Sequence, residues 1–174
     1  MNREKAIGVL FISIAVGIFI PSILSIFIEG MTVIIWLISV TISILLAFIL
    51  FKDLKPTLKH IFSNSSKWSN KMKIVNGIAW ALPFLLASIY PTFYPYLILL
   101  GIGLGNLTTY IMIRSMNGFT TRGQALVGII SLSFLPLIAI IYNLGFDASH
   151  IMRLLVAVAY GIGGMVNLTF NSPN

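Results

Sequence analysis

Hydrophobic residues fill the chain in long runs that short polar segments separate. A helix needs about 20 mostly apolar residues to cross the hydrocarbon core of a membrane. The runs are apolar on every side and do not alternate with polar residues, as strands of a membrane β-barrel would. The pattern therefore predicts an all-α polytopic membrane protein, a six-transmembrane-helix bundle forming one integral membrane domain over residues 1–174. The predicted helices are Ala6–Ile28, Met31–Phe51, Ile74–Tyr90, Tyr96–Ile113, Gln124–Asn143 and Ile151–Phe170.

Composition supports the same class of protein. Only 9% of the residues are charged and 58% are hydrophobic, whereas about a quarter of a soluble domain is charged. The absence of cysteine excludes disulfides, thiolate metal sites and cysteine nucleophiles. The first apolar run, Ala6–Ile28, is too long for the core of a signal peptide, and no small-residue cleavage site follows it. We expect it to be a retained transmembrane helix.

The distribution of basic residues predicts the orientation in the membrane. Lysine and arginine beside transmembrane helices stay predominantly on the cytoplasmic side. The basic residues that would share this side are Arg3, Lys5, the six lysines of the loop 52–73, Arg114 and Arg122. We therefore expect a cell-membrane protein with both termini in the cytoplasm, and Arg153 alone on the outer side. Because the net charge of +7 is concentrated at the ends of apolar runs, we expect no nucleic-acid partner.

The loop 52–73 also has an apolar periodicity of its own. Pro56 suits the first turn of a helix, and Leu54, Leu58 and Ile61 recur on one helical face, with Phe62 beside them. A short helix on the inner leaflet would place basic side chains near anionic lipid headgroups. The residues predicted to contact headgroups are Lys55, Lys59, Lys67 and Trp68. The alternative is a solvated connector whose lysines serve only to set the topology.

Weak internal repeats suggest three related hairpins. The first, third and fifth predicted helices each contain one proline near the outer end, Pro21, Pro83 and Pro136. The fourth and sixth share the string G-x-x-N-L-T, at Gly103–Thr108 and again at Gly164–Thr169. The second predicted helix lacks this string, so the relationship is closest between the last two hairpins.

Glycine and asparagine inside the predicted helices are the candidate intramembrane site. Small residues let helix backbones approach closely in a membrane, and the alternative is a locally unwound helix that lines a ligand site. An asparagine in hydrocarbon needs a hydrogen-bonding partner, so it either links two helices or lines a polar pathway. The candidate residues are Gly101, Gly103, Gly105, Asn106, Gly164 and Asn167.

Charged residues at the outer ends of the helices form a second candidate site. The predicted cluster consists of Glu29, Asp147, His150 and Arg153. His150 and Arg153 are three residues apart and share a helical face. Because Arg153 breaks the orientation rule, we expect a counter-charge from Asp147 or Glu29. The cluster is either a structural salt bridge or a functional site.

The missing residues restrict the possible functions. No predicted helix has an ionisable residue at its centre, and two histidines at opposite ends cannot hold a metal together. We therefore predict no metal, no cofactor and no catalytic residue. The sequence favours a non-catalytic accessory or packing subunit of a membrane assembly, with lipids and other membrane subunits as partners. A small transporter with a polar site around Asn106 is the alternative, and an outer-leaflet enzyme that uses Asp147 and His150 is a distant one.

Overall fold

The computed structural model describes residues 1–27, 33–63, 68–117 and 121–169, and within these ranges the secondary structure is helical. Eight α-helices and one 3₁₀ turn, Pro91–Phe93, which joins α4 to α5, are found in this part of the chain. The helices are α1 Arg3–Phe27, α2 Val33–Leu50, α3 Leu54–Ser63, α4 Asn70–Ile89, α5 Tyr94–Asn117, α6 Arg122–Ser133, α7 Leu135–Asn143 and α8 Ala148–Thr169.

Five of the described segments are long and apolar enough to cross a membrane. They are Arg3–Ser25, Asn70–Ile89, Pro91–Ser115, Arg122–Asn143 and Ala148–Thr169. Helix α2 turns by 110° into α3, and this bent pair raises the number to as many as six. The predicted all-helical architecture is confirmed for the described residues, and the length and apolar content of these helices are those of a multi-pass membrane protein.

The helices pack in an order that differs from their order in the chain. Helix α1 lies between α2 and α8, α8 also packs on α6, α6 packs on α5, and α5 packs on α4. Helices α2 and α4 are thus the first and last members of this packing series. They do not pack extensively against each other. The core lies mainly between α1 and α8, where the ring of Phe11 meets the ring of Tyr160 edge to face at 5.2 Å.

Two ends of the bundle can be distinguished. The start of α1, helix α3 and the start of α6 lie together at one end, which we call the basic end. There the amino group of Met1 lies 3.5 Å from the Asp53 carboxylate, and Gly8 and Gly123 both contact the last turns of α8. The far end contains the end of α4 and the starts of α2, α5 and α8.

The three prolines have different effects. Helices α1 and α4 continue through Pro21 and Pro83. The predicted helix Gln124–Asn143 corresponds to one apolar span, Arg122–Asn143, which consists of two helical segments. It is interrupted at Phe134, between α6 and α7. Proline cannot donate a hydrogen bond to the carbonyl four residues earlier, and its ring crowds that carbonyl. Pro136 therefore accounts for the interruption at Phe134, between α6 and α7.

Helix α3 was predicted from its apolar face, and the structure contains it. Leu54, Leu58 and Ile61 are buried, and the helix packs on α1. The apolar face is thus covered mainly by the protein, whereas Phe62 remains exposed. The helix closes the basic end of α1.

Candidate functional site

Asn106 lies in the interior of the bundle and is 1% exposed. Its amide nitrogen donates to the Ile102 carbonyl at 2.9 Å and to the Tyr160 hydroxyl at 3.4 Å. Because Tyr160 belongs to α8, the second bond links α5 to α8. Helix α5 is continuous from Tyr94 to Asn117, so the alternative of an unwound segment beside Asn106 is not observed.

Asn167 makes a stronger link between helices. Its side-chain oxygen accepts a hydrogen bond from the backbone N–H of Gly123 at 2.8 Å. Gly123 lies in the first turn of α6, where N–H groups have no carbonyl partner within their own helix. Asn167 of α8 therefore caps α6 from a neighbouring helix. Its amide nitrogen has no hydrogen-bond partner among the described residues.

The predicted glycines lie at contacts between helices. A methyl group added at any of them would come too close to a neighbouring helix: Gly101 and Gly105 face Phe84 and Trp80 of α4, Gly103 faces Leu132 of α6, and Gly164 faces Ile12 of α1. This geometry is what close helix packing requires. The glycines do not border an open space that a ligand would fill.

A polar contact between α4 and α5 was missed by the sequence analysis. The side-chain oxygen of Asn76 accepts hydrogen bonds from the hydroxyls of Thr108 at 2.9 Å and Thr109 at 2.8 Å. The Trp80 indole donates to Thr109 at 3.1 Å. The sequence did contain one signal for this contact, because Thr108 is the threonine of the repeated G-x-x-N-L-T string. Its partner Asn76 could not be identified without knowing that α4 packs on α5.

At the far end, Asp147 and His150 lie together and a serine of α1 joins them. The imidazole Nε2 is 3.5 Å from the Asp147 carboxylate, and Nδ1 is 3.2 Å from the Ser25 hydroxyl. A serine, a histidine and an aspartate are thus connected in the sequence found in the catalytic triad of serine hydrolases. However, the Ser25 hydroxyl also donates to the Ser22 carbonyl at 2.9 Å. Its oxygen is therefore placed to accept from the imidazole, which makes the contact a link between α1 and α8.

The expected ion pair between Arg153 and Asp147 is not formed. Asp147 instead accepts from the Ser149 backbone N–H at 2.9 Å and pairs with His150. The guanidinium of Arg153 lies 4.7 Å from the centre of the Trp36 ring in α2. No carboxylate of the described residues lies within 4 Å of it, and Glu29, the other expected partner, lies outside them.

A groove of about 420 Å³ opens beside Arg153. Helices α2 and α4 form its walls, and α1, α5 and α8 form its floor. Its lining is apolar for the most part, as Val40, Ala87, Ile98 and Val156 illustrate. From Tyr94, the first residue of α5, the lining reaches Ile102, which is about 12 Å along the helix. The groove therefore occupies the far half of the bundle, and it faces the surroundings where α2 and α4 fail to meet.

The polar groups of the groove are few. Ser88 lines it, but the Ser88 hydroxyl donates to the Leu85 carbonyl of its own helix at 2.7 Å. Trp36 is 7% exposed, and its indole N–H has no acceptor among the described residues. Arg153 is the charged residue of the lining. The groove thus combines a hydrocarbon surface with hydrogen-bond donors that this part of the chain leaves unused.

The residues predicted to contact lipid headgroups differ in how far their side chains are exposed on the protein surface. Lys55 and Lys59 are exposed on α3. Trp68 is only 9% exposed, and this burial leaves little of its ring for the predicted headgroup contact. Lys67 lies outside the described residues.

The described residues contain no group of three or more acidic or histidine side chains able to hold a metal ion. No protein-family model, curated protein or solved structure matches this chain.

Proposed function

We propose that this protein is a non-catalytic membrane protein that takes an amphiphilic molecule from the bilayer into the groove between α2 and α4. The groove itself is the observation that supports this proposal. It is concave, apolar and open to the side, and its volume is within the range of small-molecule sites. A molecule in the lipid phase can enter it without crossing water.

The geometry supports binding better than permeation. A transporter centred on Asn106 needs a water-accessible cavity that reaches this residue. Asn106 does not line the groove, and its amide nitrogen is engaged by Ile102 and Tyr160. The polar side chains in the middle of the bundle bind one another and do not form a pathway.

The geometry also argues against catalysis in the groove. The Ser88 hydroxyl is bound to its own helix, and Arg153 is permanently charged, so it does not serve as a base. The Ser25–His150–Asp147 contact does not line the groove. We therefore assign this contact a structural role.

The dimensions favour a lipid chain over a helix of a partner protein. A helix with its side chains is about 10 Å wide, so a 12 Å length of helix occupies about 900 Å³. The groove holds about 420 Å³. A partner helix would therefore lie across the groove without filling it, whereas an acyl chain fits inside; co-purification in mild detergent tests the role of accessory subunit.

Tryptophan fluorescence provides the test of groove occupancy. Trp36 is kept as the single tryptophan by replacing Trp68 and Trp80 with phenylalanine, and the protein is placed in bilayers with brominated acyl chains. Because Trp36 lines the groove, a brominated chain in the groove lies against the ring and quenches it more strongly than lipid around the bundle does. We expect strong quenching.

Two substitutions on the same helix serve as a matched pair. Val156→Phe fills the groove, whereas Val158→Phe adds the same atoms at an exposed position of α8. We expect quenching to fall in the first variant and to persist in the second. Absence of quenching in the parent, or equal quenching in both variants, would refute the proposed function.

A further inference from the structure

The hydrocarbon part of the groove gives little preference for one membrane molecule over another. A chain that moves from the bilayer into the groove passes from one hydrocarbon environment to another, so the hydrophobic effect contributes almost nothing. Selection therefore depends on the polar groups of the groove.

These polar groups are donors without acceptors. The guanidinium of Arg153 has five N–H groups and the indole of Trp36 has one. The indole N–H is buried without an acceptor among the described residues, so the guanidinium, which forms no ion pair with them, is the donor group that a ligand in the groove reaches. The stacking of the two side chains uses the face of the ring and leaves these N–H groups unpaired. A ligand that brings acceptor oxygens would therefore bind this guanidinium.

The position of Arg153 favours a negatively charged group. Arg153 is five residues from the start of α8, which places its backbone about 7.5 Å inside the helix end. The neighbouring carboxylate, Asp147, is engaged by His150 and Ser149. A carboxylate can accept two parallel hydrogen bonds from one guanidinium, which is the geometry that this pair of groups prefers.

The volume of the groove limits the ligand to one chain. A protein cavity of 150 Å³ holds benzene, which has six carbon atoms. By the same ratio, a groove of about 420 Å³ accommodates roughly 17 carbon atoms. This is the size of a single long acyl chain, and a lipid with two chains would leave one of them outside.

We infer that the groove selects a single-chain amphiphile with a carboxylate head, such as a long-chain fatty acid, whose carboxylate binds Arg153 beside Trp36. The inference rests on the proposed function, because it requires that a chain enters the groove.

The test compares two brominated ligands that share one chain, a fatty acid and the corresponding fatty alcohol. They are added at alkaline pH, where the acid is ionised, to the Trp36-only protein in phosphatidylcholine bilayers. We expect the acid to quench Trp36 at a concentration about tenfold lower than the alcohol, because hydrogen bonds to charged groups are the stronger ones.

Substitutions test whether Arg153 is the residue that causes the preference for the acid over the alcohol. Arg153→Met should bring the acid to the level of the alcohol. Arg114→Met should leave the preference unchanged, because Arg114 is exposed near the basic end of α5 and is bonded to Tyr110. If Arg153→Met also loses quenching by the alcohol, Arg153→Lys decides. A preference for the acid that persists in this variant supports the inference, and its loss with alcohol binding intact overturns the assignment of the carboxylate to the positive charge at residue 153.

The outcomes separate the two proposals. Equal quenching by acid and alcohol in the parent, or an unchanged preference in Arg153→Met, overturns the carboxylate assignment. The proposed function, binding of an amphiphile in the groove, is not affected by either result. Absence of quenching by either ligand overturns the proposed function as well. A single-chain phosphate monoester that displaces the brominated acid more effectively than an unbrominated fatty acid does would overturn the choice of carboxylate.

Discussion

The protein treats polar groups differently in two regions of the same bundle. Between α5, α6 and α8, Asn106 and Asn167 are buried and bound to groups of neighbouring helices. In the groove, Arg153 and Trp36 keep N–H groups for which the described chain provides no acceptor. Hydrogen bonds between helices hold the first region together, whereas the guanidinium of Arg153, which has no carboxylate of the described residues within 4 Å, lines an open groove that a ligand has room to enter.

Side-chain size explains why one region is closed and the other open. The carbonyl oxygens of Gly123 and Gly163 each lie where the other residue would carry a Cβ atom, so α6 and α8 approach closely enough for Asn167 to reach a backbone amide. Trp36 and Phe84 stand on the facing walls of the groove. The Trp36 ring packs on Arg153 of α8 and the Phe84 ring packs on Gly101 of α5, so each wall is held by the floor of the groove and not by the opposite wall.

Membrane labelling gives the largest expected effect, because its result is all or none. The natural chain has no cysteine, so a single one can be placed at either end, as Phe146→Cys at the far end or Lys71→Cys at the basic end. If the basic end is cytoplasmic, an impermeant maleimide should label only Phe146→Cys in intact cells. The groove would then open towards the outer leaflet. Labelling of Lys71→Cys in intact cells would reverse the proposed orientation of both regions.

Adding one methyl group at two glycines of α8, in separate variants, tests whether close packing holds the closed region between α5, α6 and α8 together. In Gly163→Ala, the new carbon would lie 2.5 Å from the Gly123 carbonyl oxygen and 2.5 Å from a Val127 methyl group. Overpacking of this kind costs about 1–3 kcal/mol. In Gly161→Ala, the nearest atom is 3.9 Å away, and alanine is the better helix former by about 1 kcal/mol.

The two variants should therefore change stability in opposite directions. Thermal unfolding in detergent, followed by the loss of the monodisperse chromatographic peak, measures this. We expect Gly163→Ala to lower the midpoint and Gly161→Ala to leave it unchanged or raise it. Equal effects would show that the contact between α6 and α8 does not depend on the absence of a side chain.

Hydropathy was sufficient to predict the helices, because a membrane span is defined by its length and apolar content. It was not sufficient to predict which faces meet. A helix that is apolar all round has no amphipathic signal to separate a buried face from one that faces lipid. The sequence therefore identified Asn167 as an intramembrane amide without identifying Gly123 as its partner.

The same limit applies at the far end and in the basic loop. Arg153 was recognised because its charge is exceptional, but its contact with Trp36 depends on how α2 and α8 lie relative to each other. Trp68 was expected at lipid headgroups, as amphipathic rings often are, yet packing buries it. The groove could not be predicted at all, because it depends on a gap between helices that are distant in the chain.

The two asparagines of the repeated string should contribute unequally to stability. Replacing Asn167 by alanine leaves the Gly123 N–H without an acceptor in a buried position, which costs about 1–2 kcal/mol. Replacing Asn106 by alanine removes a long bond to Tyr160 and a bond to a carbonyl of its own helix. Carbonyls within a helix already accept backbone hydrogen bonds, so we expect a loss below about 1 kcal/mol.

Thr169→Val is the matched control for this pair, because Thr169 belongs to the same string and donates only to carbonyls of its own helix. Unfolding of the three variants in mixed micelles, where added denaturing detergent shifts the equilibrium, gives the order directly. We expect Asn167→Ala to be the least stable and Thr169→Val to match the parent. If Asn106→Ala were the least stable, the link between α5 and α8 would matter more than the cap on α6, and the closed region would be centred on Tyr160.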